Sequence, residues 1–123
     1  IINRGGGNVL IQLYGSREDH TYSDEPITVT MDGKKVTVQP GEVVRLTPGQ
    51  SITLVPGQYH KFWGEPGTGM TLLGEVSTVG DDRMDNLFYE ATGRLPEVVE
   101  DEKPRYLLFT DYPKLDELLS TYK

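Results

Sequence analysis

The sequence has 123 residues, with 12 Lys and Arg against 19 Asp and Glu, a net charge of −7. So acidic a chain is not a general nucleic-acid binder, because phosphate binding needs a basic surface. With no cysteine it forms neither disulfides nor thiolate metal sites, so its chemistry must come from oxygen and nitrogen groups.

Hydrophobic residues make up 36% and charged residues 25% of the chain, enough to bury a core and stay in solution. The length predicts one domain over 1–123, with no linker and no internal repeat. No apolar run approaches a membrane span, and no basic start leads into an apolar segment. The expectation is a cytoplasmic protein that binds neither membrane nor nucleic acid.

The opening Ile1-Ile2-Asn3-Arg4-Gly5-Gly6-Gly7 lacks Met and reaches a glycine triplet almost at once. No strand precedes the triplet and no helix follows it, so it is not a phosphate cradle; it reads as room for a close chain crossing. Asn8 to Tyr14 is a mostly apolar run ending at Gly15, read as a strand buried on both faces. Ser16 to Glu25 is a polar loop whose His20 is expected at the surface. Ile27, Val29 and Met31 alternate with threonines, stop at Asp32-Gly33, and resume as Val36 and Val38, a strong hairpin signal.

Three more turns follow at Pro40-Gly41, Pro48-Gly49 and Pro56-Gly57. Between them, Val43 to Leu46 and Ser51 to Val55 read as strands, and Tyr59 to Trp63 and Met70 to Val79 as the next two. Turns so regularly spaced, without intervening helices, predict an all-β sandwich or barrel. In the tail, Asp81 to Asn86 is a polar loop, Leu95 to Pro104 acidic and irregular, and Arg105 to Thr110 a further strand. From Pro113, Leu115, Leu118, Leu119 and Tyr122 fall at i, i+3, i+4 and i+7, the pattern of a short amphipathic helix.

Two residues invite a chemical reading. His60 follows a Pro-Gly turn and shares a strand face with Phe62, while Lys61 and Trp63 share the other. A histidine turned into a barrel needs partners for its ring nitrogens, and a metal or a hydrogen bond would each serve. Glu75 sits among apolar residues in Leu72-Leu73-Gly74-Glu75-Val76-Ser77; it is either solvated or an inward ligand or base. Asp81, Asp82, Arg83, Asp85 and Asn86 are a solvated loop or the lining of a barrel mouth. Tyr59, Phe62 and Trp63 are core aromatics or a stacking surface for a sugar ring.

As a set, Ile1-Ile2-Asn3-Arg4-Gly5-Gly6-Gly7-Asn8, Pro56-Gly57-Gln58-Tyr59-His60-Lys61-Phe62-Trp63-Gly64-Glu65, Gly74-Glu75-Val76-Ser77, Asp81-Asp82 and Asp85-Asn86-Leu87-Phe88 resemble the D-lyxose isomerases, from the first residue to about Tyr112. The resemblance implies a cupin-type, jelly-roll-like β-barrel, here with a short C-terminal helix, and a homodimer. It implies a divalent metal, typically manganese, and interconversion of the monosaccharides D-lyxose and D-xylulose, and also D-mannose and D-fructose, through an enediol. By position, His60 matches a metal ligand, Glu75 is the candidate for proton transfer, and Lys61, Asp85 and Asn86 are candidates for sugar hydroxyl contacts. The family's first cupin motif, two histidines one residue apart and then a glutamate, would precede Ile1. The chain is therefore expected to be either a piece lacking its N-terminal strands or a cupin that binds sugars or other ligands without the metal site.

Overall fold

The structure, a computed structural model, describes residues 1–81, 85–90, 99, 101–107, 112 and 120. They contain eight strands, all paired antiparallel, as an all-β cupin-like fold requires: β1 (Ile2–Gly6), β2 (Val9–Gly15), β3 (Ile27–Met31), β4 (Lys34–Val38), β5 (Val43–Leu46), β6 (Ile52–Thr53), β7 (Gln58–Gly64) and β8 (Thr71–Gly74). They form a pair β1-β8 and two three-stranded sheets, β5-β2-β7 and β4-β3-β6. The chain groups into two compact units, Ile1–Ala91 and Thr92–Lys123. In the second, Arg105 stacks its guanidinium on the Tyr106 ring at 5.5 Å. No helix among the described residues is long and apolar enough to cross a membrane.

Alternation sets the core. Along β2, Val9, Ile11 and Leu13 are fully buried, and they join Val29, Val38, Leu46 and Ile52 from four other strands. The opposite face of β2, carrying Leu10, Gln12 and Tyr14, is half-buried, so β2 is not closed over on both sides as its apolar run suggested. The Asp-Gly hairpin forms as predicted: Asp32 and Gly33 both take positive φ, 46° and 78°, which a two-residue turn between twisted strands demands. The Asp32 carboxylate then accepts bonds from the Ser51 amide (2.7 Å) and hydroxyl (3.0 Å), tying the hairpin to the chain entering β6.

Other expectations change in extent. The strand expected over Met70 to Val79 ends at Gly74, after which Val76 and Val79 stand exposed. Of the expected Ser51 to Val55 strand, Ile52 and Thr53 pair with β3 and Ser51 forms an isolated bridge with Ile2, so pairing stops before Leu54. Arg105 to Leu107 are not in a strand, and 108–110 lie outside the described residues, as does the helix expected from Pro113 to Tyr122 except for Ser120.

The glycine-rich opening is itself a strand, β1, with a bulge between Asn3 and Gly5. Asn3 is fully buried. Its Nδ2 donates to the carbonyls of Gly7 and Leu46, each at 2.9 Å, and its Oδ1 accepts from the Gly5 amide at 3.1 Å. Its backbone N–H donates to Gln50 O at 2.9 Å, and its carbonyl accepts from Gly49 N at 2.8 Å. Gly6 then crosses so close to β8 that a Cβ would lie 2.1 Å from Met70 O, and its φ of +84° favours glycine as well. This is the close chain crossing anticipated for the triplet.

Glu65 seals the turn after β7. It accepts a 2.7 Å bond from Asn8 Nδ2 and pairs with Arg45, and the Asn8 bond above all holds its carboxyl below the ordinary 4.5. A carboxyl whose folded pKa lies below its unfolded one adds stability that is present above the unfolded pKa. That stability is lost as pH falls through the folded pKa.

Two predictions follow from these contacts. Asn3→Ala strands two carbonyls and one amide, and should cost about 3 kcal/mol in urea unfolding; an unchanged midpoint would show that the bonds are dispensable. Glu65→Gln should flatten the loss of thermal stability as pH falls below 4.5 while leaving the pH 7 slope unchanged, and parallel curves for the two proteins would refute the linkage.

Candidate functional site

The site gathers at the start of β7. Register with β2 places His60 opposite Leu13 and Phe62 opposite Ile11, so both side chains lie on the core face of the sheet. Among the described residues β7 pairs only with β2, and this outer position leaves His60 exposed and Phe62 44% exposed although their β2 partners are fully buried. The imidazole is oriented from its own strand: Nδ1 lies 3.0 Å from Gln58 O. A carbonyl only accepts, so the neutral ring carries its hydrogen on Nδ1 and keeps the Nε2 lone pair, the arrangement that suits a metal ligand or a hydrogen-bond acceptor.

Two cavities meet at His60. One, of about 470 Å³, is lined by Val55 to His60 together with Ser16, His20 and Asp85 to Phe88. The other, of about 350 Å³, is lined by Gln12, Tyr14, Tyr22, Tyr59, His60, Lys61 and Leu87 to Tyr89. Both are within the range that accommodates a small ligand. Gln12, Tyr14, Tyr59 and Lys61 lie on the face of the β2–β7 pair opposite His60, so the second cavity wraps the edge of β7.

The candidates therefore fare differently. His60, Asp85 and Asn86 share one cavity, which makes the polar run part of a cavity lining. Asp85 also shapes its own loop: its amide donates to Asp81 O at 2.8 Å, and its carboxylate accepts from the Asp81 amide. Asp82 lies outside the described residues. Lys61 reaches the second cavity and sets its ammonium 5.7 Å from the Trp63 ring centroid. Glu75 follows the end of β8, is exposed, and is not in the lining of either cavity.

Several lining residues carried no sequence signal. His20 is exposed as expected, yet it stands in the cavity lining with His60, in a positive-φ turn (64°), and its carbonyl accepts the Tyr59 hydroxyl at 3.0 Å. Tyr14, Tyr22, Tyr59 and Tyr89 form one cluster: Tyr22 stacks on Tyr14 (4.2 Å, 12°) and on Tyr89 (3.8 Å, 13°), with Tyr59 edge-on to both Tyr22 and Tyr89. Burial in this cluster, with Tyr89 and Tyr14 adding to it, pushes the Tyr22 hydroxyl above its ordinary 10.0, so it stays protonated at neutral pH. Tyr14 lies near the end of β2; Tyr22 and Tyr89 come from loops, and nothing in their spacing foretells that they meet.

Among the described residues no three His, Asp or Glu side chains converge as ligands, so His60 has the right orientation but these residues do not hold an ion by themselves.

A sequence model of the D-lyxose isomerase family matches residues 1–112. The D-lyxose/D-mannose isomerase of Serratia proteamaculans is 46% identical over 112 residues, and that of Escherichia coli O157:H7 44% over the same length. In both cases the match covers 91% of this chain and 49% of the relative, so the chain spans about half the length of these proteins. With the match extending through every strand and through both cavity-lining segments, the chain belongs to the D-lyxose isomerase family.

Proposed function

We propose that these residues form the β7 side of the sugar site in an aldose–ketose isomerase acting on D-lyxose and D-mannose. The observation that carries the reading is the meeting of His60, Asp85 and Asn86 around one cavity, on the two segments that most specifically resemble the family. In the proposed reaction one proton leaves C2 of the open-chain aldose, one is delivered to C1, and the hydroxyl proton passes from O2 to O1, so no redox partner is consumed. Asp85, Asn86 and Lys61 would hold sugar hydroxyls, and Glu75 would carry one of the two proton transfers.

A divalent ion, manganese by resemblance, would polarise the sugar carbonyl. His60 would be the ligand supplied from here, with the remaining donors drawn from outside the described residues. A second reading, a sugar-binding cupin without catalysis, draws on the lack of three convergent ligands among those residues.

In the intact protein, conversion of D-lyxose to D-xylulose should be lost on chelation and restored by manganese, and His60→Ala should lower both bound metal and kcat at least about a hundredfold. Sugar binding with no turnover, with or without manganese, would favour the non-catalytic cupin. Glu75→Gln should lower kcat at least about a hundredfold without changing metal content; full activity in that variant would remove Glu75 from proton transfer.

A further inference from the structure

The tyrosine cluster has a geometry that the isomerase reading does not itself require. Tyr14 and Tyr89 are both nearly parallel to Tyr22, with centroids 4.2 and 3.8 Å away. Two rings so close cannot share one face of a third without overlapping, so Tyr22 lies between them. One neighbour belongs to β2 and the other to the segment carrying Asp85 and Asn86.

The loop presenting Tyr22 is itself well tied. Ser16 and Tyr22 form an antiparallel bridge, and Ser23 N donates to Gly15 O at 2.9 Å. Arg17 N donates to Thr21 O at 2.9 Å, and Asp19 accepts both the amide and the hydroxyl of Thr21, at 3.0 and 2.7 Å. So many short-range bonds fix the backbone on either side of the ring before it meets Tyr89. By contrast, 85–90 contains no strand pairing, and Leu87, Phe88 and Tyr89 are each about half exposed. Across this segment the Tyr89 ring stacks on Tyr22 and meets Tyr59 edge-on at 5.8 Å, so aromatic contacts join it to the loop at Tyr22 and to β7.

The geometry points to Tyr22 as a positioning residue: seated between Tyr14 and Tyr89, it clasps the 85–90 segment around the edge of β7 and so sets Asp85 and Asn86 beside His60. The clasp stands on the ring geometry alone; its consequence for substrate rests on the isomerase reading above. Because the ring acts through stacking, its hydroxyl is dispensable.

The test compares Tyr22→Ala, Tyr22→Phe and Tyr89→Ala in the intact protein by amide hydrogen exchange and by steady-state kinetics with D-lyxose. In Tyr22→Ala the Asp85 amide should exchange about tenfold faster, while the core amides of β2 keep their protection. KM should rise about tenfold, with kcat changed less than about threefold, because the lost contact is one of ground-state binding. Tyr22→Phe keeps the stacked ring and should keep the parent's exchange rate at Asp85. Tyr89→Ala removes the ring from the other side and should repeat the alanine phenotype even if Tyr22→Ala does not fold.

Unchanged exchange at Asp85 in both alanine variants would overturn the clasp. Faster exchange with unaltered KM would overturn its role in holding the substrate. Should the parent protein show no isomerase activity, the function proposed above falls, and the exchange data alone decide the clasp.

Discussion

The described fold hangs on one buried amide. Asn3 lies in β1, paired with β8; its side chain bonds the last carbonyl of β5, and its backbone grips Gly49 and Gln50 just before β6. It thus joins two of the sheets, and the turn that leads into the third, from a fully buried position. Asparagine suits the position because a short side chain must supply two donors and an acceptor. Aspartate would bury a charge and lose both donors, and leucine would strand three backbone groups. The glycines that follow are a condition of the same join, since the chain passes β8 with no space for a Cβ at Gly6.

How far the site could be read from the sequence divides along a physical line. Strands with strict alternation, such as Ile27 to Met31 and Lys34 to Val38, appear where pattern and turn chemistry agree. The face shared by His60 and Phe62 also follows from period two, and the register with Leu13 and Ile11 bears it out. By contrast, β1 is hidden, because Asn-Arg-Gly-Gly has almost no strand propensity; only its long-range bonds make it a strand. The apolar run from Met70 overstated β8, since Val76 and Val79 are hydrophobic but find nothing to pack against among the described residues. The tyrosine cluster was illegible for a related reason: its members lie at 14, 22, 59 and 89, and no local period links residues that only tertiary folding brings together.

The outer position of β7 explains why the site looks half-built. His60 and Phe62 face the same side as a fully buried β2, yet they stand exposed on a strand paired along one edge among the described residues. The same openness lets cavities on both faces meet at His60 and lets the 85–90 segment reach it. A chain matching about half the length of its relatives thus holds a buried hydrophobic cluster, while among its described residues no three ligand side chains converge.

The β1–β8 pairing has a consequence for how such a chain is made. Ile2 pairs with Gly74, and everything from β2 to β7 lies between them. At roughly 5–20 residues per second, the ribosome needs on the order of 4–14 s after making β1 to supply its partner. Through that interval the early strand has a bare edge, the state most prone to sticking to another nascent chain. Its glycines, awkward as strand formers, are also poor seeds for cross-β stacking. The composition that hid this strand from pattern reading thus also guards it while it waits.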